Sequence, residues 1–395
     1  MFARRGKRYV QSVMKFLHLS DLHIGKNVNG FSMLEEQRRV FRQIIGHIRS
    51  ERPAAALIAG DVYDRPAPSA EAVLLFDDFL TDLAAEGVAV MVIAGNHDSP
   101  ERLGYAGRLL ADRNLFICGA FDGVMRRAVL SDEYGDVNFW LLPFVRPISV
   151  KGFFEEREIS THGDAVAAAV EAAGIDRSAR NVLVSHQFYA ASGTDPKETA
   201  NAGGLDAIDA SVVEMFDYAA LGHLHGCRSV GAENRRYAGS PLKYSFSEIG
   251  HSKSATLVEL REKGNLSISA LPLVPLHDMR EIKGTLSELT SAGAASAADK
   301  NDYLRVVLTD KEGETTDPMG KLRSVYPNVM SLAFENADAD IYAVGTNADL
   351  ERVSTLPPYD LFREFFFDAN KYAMSVEQAA LAKKLMDGES ADEAD

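Results

Sequence analysis

Two histidines stand one residue apart at the end of an apolar run, in Leu221-Gly222-His223-Leu224-His225. In an extended segment, residues i and i+2 point to the same side, so both imidazoles are expected to face one place. Imidazole is the commonest side-chain ligand for metal ions. Four earlier stretches offer partners of matching chemistry: Asp21 and His23 in Ser20-Asp21-Leu22-His23, Asp61 and Asp64 after Gly60, the run Gly95-Asn96-His97-Asp98, and His186 after Ser185. Each closes a short apolar run, and His23, His97, His186, His223 and His225 are five of the chain's ten histidines. The set combines carboxylate, amide and imidazole with no thiolate, which suits Mn²⁺ or another borderline divalent ion better than a structural zinc.

For side chains so distant in sequence to meet, the segments before them must end at one edge. Apolar runs at Phe16–Leu19, Ala54–Ala59, Val88–Ile93, Val137–Leu142 and Asn181–Ser185 read as strands. Helical spacing lies between them, over 35–52 (Val40, Ile44, Ile45 and Ile48), over 69–86 (Val73, Phe76, Leu80 and Leu83 inward) and over 164–173. Such alternation predicts a mostly parallel sheet with the site at its carboxyl edge. Ser99 is expected to cap the helix after Asn96-His97, with Pro100 in its first turn; Asp98 reads as a further cap or as a group that supports the ligand residues, with the cap favoured. His18, earlier in its strand, reads as a structural histidine.

Composition bounds the alternatives. A chain of 395 residues, 46% hydrophobic and 25% charged, suggests a globular protein of two or three domains. The net charge of -15 argues against a broad basic surface for nucleic acid, but bound metal ions can supply positive charge locally. Some of the acidity is a terminal run, Asp387, Glu389, Asp392, Glu393 and Asp395, expected to lie in solvent. Cys118 and Cys227 form no Cys-x-x-Cys pattern, so a reducing cytoplasm is expected. No apolar run approaches the roughly 18 residues that a membrane span requires. Residues 1–13 carry Arg4, Arg5, Lys7 and Arg8 without an apolar signal core, and read as an upstream extension or basic arm.

The blocks Asp21-x-His23, Gly60-Asp61-x-x-Asp64, Gly95-Asn96-His97-Asp98, His186 and Gly222-His223-x-His225 resemble the signature blocks of the calcineurin-like metallophosphoesterases. Longer stretches, Ser20–Gly25, Ser185–Phe188, Asp217–His225 and Tyr237–Glu248, resemble the SbcD family of nucleases, and the likeness runs from about Met14 to Gly388. The resemblance implies an α/β fold, a β-sandwich flanked by helices, with a small α+β capping domain and C-terminal helices. It also implies two metal ions bridged by Asp61, with Asp21, His23 and His225 completing one shell and Asn96, His186 and His223 the other. Only a carboxylate can offer an oxygen to each of two ions. His97 follows Asn96 directly without being needed as a ligand, so it is the candidate acid for the leaving alkoxide. Asp64 could accept a proton from its other ring nitrogen and fix the tautomer.

The implied activity is that of a DNA nuclease in repair and recombination: an exonuclease on double-stranded ends and an endonuclease on single strands or hairpins. The implied partners are DNA, an SbcC-type ATPase and a second copy of the chain, with 69–86 and 100–112 as the candidate dimer contact. Arg146, Arg235, Arg236, Lys243 and Lys253 are candidate phosphate contacts. The domain layout follows as 14–272 for the nuclease, 273–345 for the capping domain, 346–388 for a linker and docking helices, and 389–395 for the acidic tail. In the docking element, Leu361, Phe362, Phe365 and Phe366 are the candidate contacts to the ATPase, and Ser375 with Gln378 reads as a capping box for its second helix. Two rival readings stand beside this one. A cyclic-nucleotide phosphodiesterase or protein phosphatase would share the metal blocks, but Pro66 stands where the phosphatase block expects glycine. A non-catalytic scaffold for the ATPase would not need a complete ligand set.

Overall fold

A computed structural model of the chain describes residues 12–191, 207–291, 300–311, 315–335 and separate positions between 359 and 383. Two six-stranded sheets lie face to face. The first runs in the order Leu266–Pro272, Ser254–Leu260, Met14–Leu19, Ala55–Ala59, Ala89–Ile93 and Leu115–Cys118, with the last four parallel. The second runs Arg228–Val230, Ala232–Tyr237, Tyr218–Gly222, Arg180–His186, Gly135–Leu142 and Arg126–Asp132, with the middle four parallel.

The alternation by itself points to one sheet; the chain builds two, the β-sandwich flanked by helices that the resemblance implies. Helices Leu34–Glu51 and Ala70–Ala85 cover only one face of the first sheet, burying Val40, Phe41, Ile44, Ile48, Leu75, Phe76, Phe79 and Leu83 there. Among the described residues the other face carries no helix, and its apolar side chains pack instead on the second sheet. Phe16, Leu57, Met91 and Ile93 meet Phe139, Leu141, Val182, Val184 and Tyr218 across the interface. Phe16 makes edge-to-face contacts with Phe139 and Tyr218, each with centroids 5.6 Å apart. Helix His162–Ala172 covers the outer face of the second sheet. Strands apolar on both faces are what such a layered arrangement requires.

Some helix expectations shift. Val73 is 44% exposed, while Leu75 and Phe79 turn inward in its place. The stretch 100–112 is not one helix but two single turns, Pro100–Leu103 and Gly107–Leu110, separated by Ala106 in the left-handed region at φ 59°. Ser99 is the N-cap residue of the first turn, but its hydroxyl meets the Glu101 carboxylate rather than a backbone N–H.

The small domain is a three-stranded parallel sheet, Met279–Gly284, Tyr303–Leu308 and Val329–Phe334, with helices Leu286–Thr290 and Pro318–Val325. Its own core is Leu286, Leu304, Val306, Leu308, Leu322, Tyr326 and Val329. It is tied to helix Leu34–Glu51 through Glu36, which is buried and accepts from the Leu276 N–H at 2.7 Å and from His277 Nδ1 at 2.6 Å. The spacer at 292–299, most of the docking element (including Leu361 and Phe365) and the acidic tail lie outside the described residues. Phe362 and Phe366 are helical with ring centroids 6.4 Å apart, and the Ser375–Gln378 capping box forms as expected. Among the described residues no helix is long and apolar enough to cross a membrane, and Cys118 and Cys227 are both free thiols.

His18 is wholly buried between the sheets, with Nδ1 3.0 Å from the Tyr218 hydroxyl. Burial, with Arg236 nearby, holds its imidazole down from 6.5 to about 3. The unfolded chain therefore binds a proton below pH 6.5 that the folded chain refuses, so stability falls as pH falls from 6.5 towards 3, at up to about 1.4 kcal/mol per pH unit. Metal-free protein carrying His18→Asn should show a shallower loss of stability over that window in chelator-containing denaturant titrations. Equal slopes for the two proteins would contradict this.

Candidate metal centre

The parallel strands of both sheets end at the same end of the sandwich, and the site straddles them. Asp21 and His23 follow Met14–Leu19, Asp61 follows Ala55–Ala59, and Asn96 and His97 follow Ala89–Ile93, all from the first sheet. From the second, His186 closes Arg180–His186, and His223 and His225 follow Tyr218–Gly222. The structure thus brings together all seven expected ligand residues and His97.

The pleat is not what aims them. Asp21, His23, Asp61 and His223 all have positive φ, at 53°, 44°, 49° and 111°. Non-glycine residues held there cost of order 1–3 kcal/mol each and persist only where neighbouring structure over-determines them. The neighbours do so. Asp21 N–H donates to the Gly60 carbonyl at 3.0 Å, His23 N–H to the Asp61 carbonyl at 2.9 Å, and His223 N–H to Asp21 Oδ1 at 3.0 Å. His223 and His225 do not share one place either: His223 Nδ1 lies 3.1 Å from Asn96 Oδ1, whereas His225 Nε2 lies 3.1 Å from His23 Nε2.

Three overlapping ligand groups result. Asp21, His23 and His225 bring ligand atoms within 4.8 Å of one another, and Asp61 belongs to the other two, with His23 and His97 and with Asp21 and His186. Asp61 Oδ1 accepts the His97 N–H at 2.9 Å, which leaves Oδ2 to face both groups, 3.7 Å from His23 Nε2 and 3.4 Å from His186 Nε2. Glycine makes this approach possible. A methyl group at Gly95 would sit 2.1 Å from Asp61 Oδ1, and one at Gly60 would sit 2.3 Å from His186 Nδ1.

The donor set fits divalent cations. His186 Nδ1 donates to the Ala59 carbonyl at 2.8 Å, so Nε2 presents a lone pair to Asn96 Oδ1 at 3.0 Å and to Asp61 Oδ2. His23 and His225 likewise aim Nε2 at Nε2. Acceptors crowded this closely need either extra protons or metal ions between them. Burial would lower the His186 imidazole, but the Asp61 and Asp21 carboxylates lift it to about 9. Burial likewise works to raise Asp61, yet His186, His23 and His97 together hold it below the usual carboxylate range. Burial raises Asp21 and lowers His23.

His97 is half-buried at the cleft wall with Nδ1 3.0 Å from a partner at Asp64, but that partner is the backbone carbonyl, not the carboxylate. The carboxylate is drawn away by Lys26, whose Nζ donates to it at 2.6 Å. Asp98 is not a helix cap. It is 5% exposed and accepts the N–H groups of Val62, Tyr63 and Gly95, pinning the Asp61 turn to the Asn96 turn. Burial and the neighbouring Asp61 charge push it up to about 6.

A cleft of about 1200 Å³ opens over the cluster, walled by Phe144, Phe188, Leu224, Arg228 and His251 among others. Of the five expected phosphate contacts, Arg146 alone lines this cleft, exposed and stacked over Phe144 at 5.7 Å. Arg235 donates to the Ala210 carbonyl, Arg236 meets Cys227 Sγ, and Lys243 pairs with Asp278. Lys253 is buried against Glu248. Sequence reasoning does not single out Glu248, although it closes the Tyr237–Glu248 block. It misses Gln37 and Tyr244 too: Gln37 donates to the His23 carbonyl at 2.7 Å and to the Tyr244 hydroxyl at 3.0 Å. Only the glutamine's place on a helix otherwise apolar at that face hints at it.

Residues 14–227 match the family described as calcineurin-like phosphoesterase, and residues 275–369 match the one described as type 5 capsule protein repressor C-terminal domain. The SbcD component of the SbcCD nuclease from Staphylococcus epidermidis is 32% identical over 324 residues, covering 81% of this chain and 85% of that protein. A solved dimetal phosphatase from Danio rerio aligns over 67% of this chain and 98% of its own, at 14% identity and a TM-score of 0.41.

Proposed function

The chain belongs to the calcineurin-like phosphoesterases and, within them, to the SbcD family of nucleases, and from that premise we propose that it is a Mn²⁺-dependent DNA nuclease. It degrades double-stranded ends as an exonuclease and cuts single strands or hairpins as an endonuclease, in DNA repair and recombination in the cytoplasm. The observation that carries the reading is the convergence of Asp21, His23, Asp61, Asn96, His186, His223 and His225 from the ends of both sheets onto one cluster, of which Asn96, His223 and His225 line the cleft.

In this reading Asp61 is shared, with Asp21, His23 and His225 holding one ion and Asn96, His186 and His223 the other. When bound, the ions supply an activated water and charge to offset that of the phosphate. The chain's own residues do the rest. Arg146 on the rim meets the DNA backbone, since a guanidinium matches phosphate geometry. Phe144 and Phe188 form the apolar wall beside the second group. The Asp64 carbonyl holds the proton on His97 Nδ1 at 3.0 Å, so Nε2 is the atom that delivers a proton to the departing oxygen. Asp64 thus supports His97 through its backbone, while its carboxylate restrains Lys26.

The small domain over 273–345 serves as a cap that orients DNA; the matched C-terminal family module, 275–369, takes in most of it and part of the docking stretch. An SbcC-type ATPase docks on the helices around Phe362 and Phe366, with Leu361 and Phe365 in the same stretch. A second copy packs on the face where Val73, Leu74, Tyr105 and Leu109 are 44%, 62%, 82% and 79% exposed.

His97→Asn should bind Mn²⁺ like the wild type in calorimetry and lose ~10²–10⁴-fold in phosphodiester cleavage. Loss of metal in that variant would instead make His97 a ligand, which its place within 4.8 Å of His23 and Asp61 also allows. A chain ending at residue 354 should remain a dimer by light scattering and keep Mn²⁺-dependent cleavage, yet fail to retain the ATPase in a pull-down. Retention at the wild-type level would reject the docking assignment, and a monomeric mass the dimer.

A further inference from the structure

One carboxylate at the edge of the cleft has no part in the chemistry described so far. Glu248 is 5% exposed and ends the short turn Phe246–Glu248. Its Oε1 accepts from His225 Nδ1 at 2.9 Å, and its Oε2 accepts from Lys253 Nζ at 2.6 Å and from Ser240 Oγ at 3.4 Å. Lys253 also donates to the His225 carbonyl at 2.9 Å and to Ser240 Oγ at 2.8 Å, and its side chain is 6% exposed. An ammonium has three N–H donors, and all three are used here. None is left for a phosphate. The lysine therefore grips both the backbone of His225 and the carboxylate that meets its ring.

A metal-ligating histidine needs its second nitrogen held as an N–H, which fixes the ring and raises the basicity of the ligating nitrogen. The geometry points to Glu248 as the positioning residue of His225, with Lys253 as its anchor. Glu248 keeps the His225 proton on Nδ1 and turns Nε2, 3.1 Å from His23 Nε2, towards the first ligand group. This assignment deepens the two-metal reading and rests on it. It also explains why a lysine beside a nuclease site is buried. A merely structural ion pair would make a different prediction, since its loss would lower the stability of the metal-free protein and leave metal affinity alone.

The test is Mn²⁺ titration calorimetry on the full chain, beside thermal unfolding in chelator. Wild type should take up two equivalents. Glu248→Gln should bind one of them ~10–100-fold more weakly and the other unchanged. Two equivalents at wild-type affinity in Glu248→Gln, with only the chelated unfolding midpoint lowered, would overturn the assignment. If Glu248→Gln does not fold, Lys253→Met carries the test: it frees the carboxylate to leave the ring and should weaken the same equivalent. Unchanged affinity there would overturn the assignment equally. A wild-type chain that takes up fewer than two equivalents would overturn the dinuclear reading together with this one.

Discussion

Asp61 is a carboxylate with 2% exposure in an acceptor-rich cluster beneath the cleft, and much of the local architecture answers the cost of keeping it charged there. Removing an isolated carboxylate from water costs several kcal/mol even after relaxation, so it must be met by hydrogen bonds and positive charge. One backbone N–H, from His97, reaches Oδ1. The rest of the compensation comes from groups arranged around Oδ2, and these are imidazoles that present lone pairs as readily as protons. Such a shell is poised for cations. The two glycines beside it, Gly60 and Gly95, leave the space that lets ring and carboxylate come within contact distance.

The chemistry is legible from the sequence because ligand residues have few substitutes. Their positions after apolar runs are legible because strands buried on both faces leave an unbroken hydrophobic record. What the pattern cannot carry is direction. Spacing by two suggests a pleated edge, whereas Asp21, His23, Asp61 and His223 reach the site through left-handed turns, a conformation that residue type alone rarely announces. Residue type misleads at Lys253 as well. Charge reads as exposure unless the partners are known, and here they are Glu248, five residues away, with Ser240 and the His225 carbonyl from further up the chain. Asp98 looks like a helix cap by position, and tertiary structure turns it towards the Asp61 turn instead. Periodicity alone hides the second sheet for a similar reason, because a strand apolar on both sides does not say whether a helix or another sheet covers it; the β-sandwich comes from the resemblance of the ligand blocks.

Helix Leu34–Glu51 links the site to the small domain through adjacent side chains. Gln37 donates to the His23 carbonyl and accepts from the Gly25 N–H, while Glu36 accepts from Leu276 and His277 on the segment leading into the small sheet. Both side chains are almost wholly buried. Tyr303 of the small sheet approaches the same Glu36 oxygen at 3.4 Å and packs edge-on against Phe31. The small domain and the first ligand group are therefore both tied to the same helix through adjacent buried side chains.

The central claim is that DNA cleavage depends on metal ions that Asp61 would help to hold. The most direct test incubates the purified chain with a linear DNA duplex, with and without Mn²⁺, beside an Asp61→Ala variant of equal thermal stability in chelator. The account predicts degradation by the wild type that requires the metal and is absent in the variant. Cleavage that persists in Asp61→Ala, or that survives chelation of the metal, would contradict it.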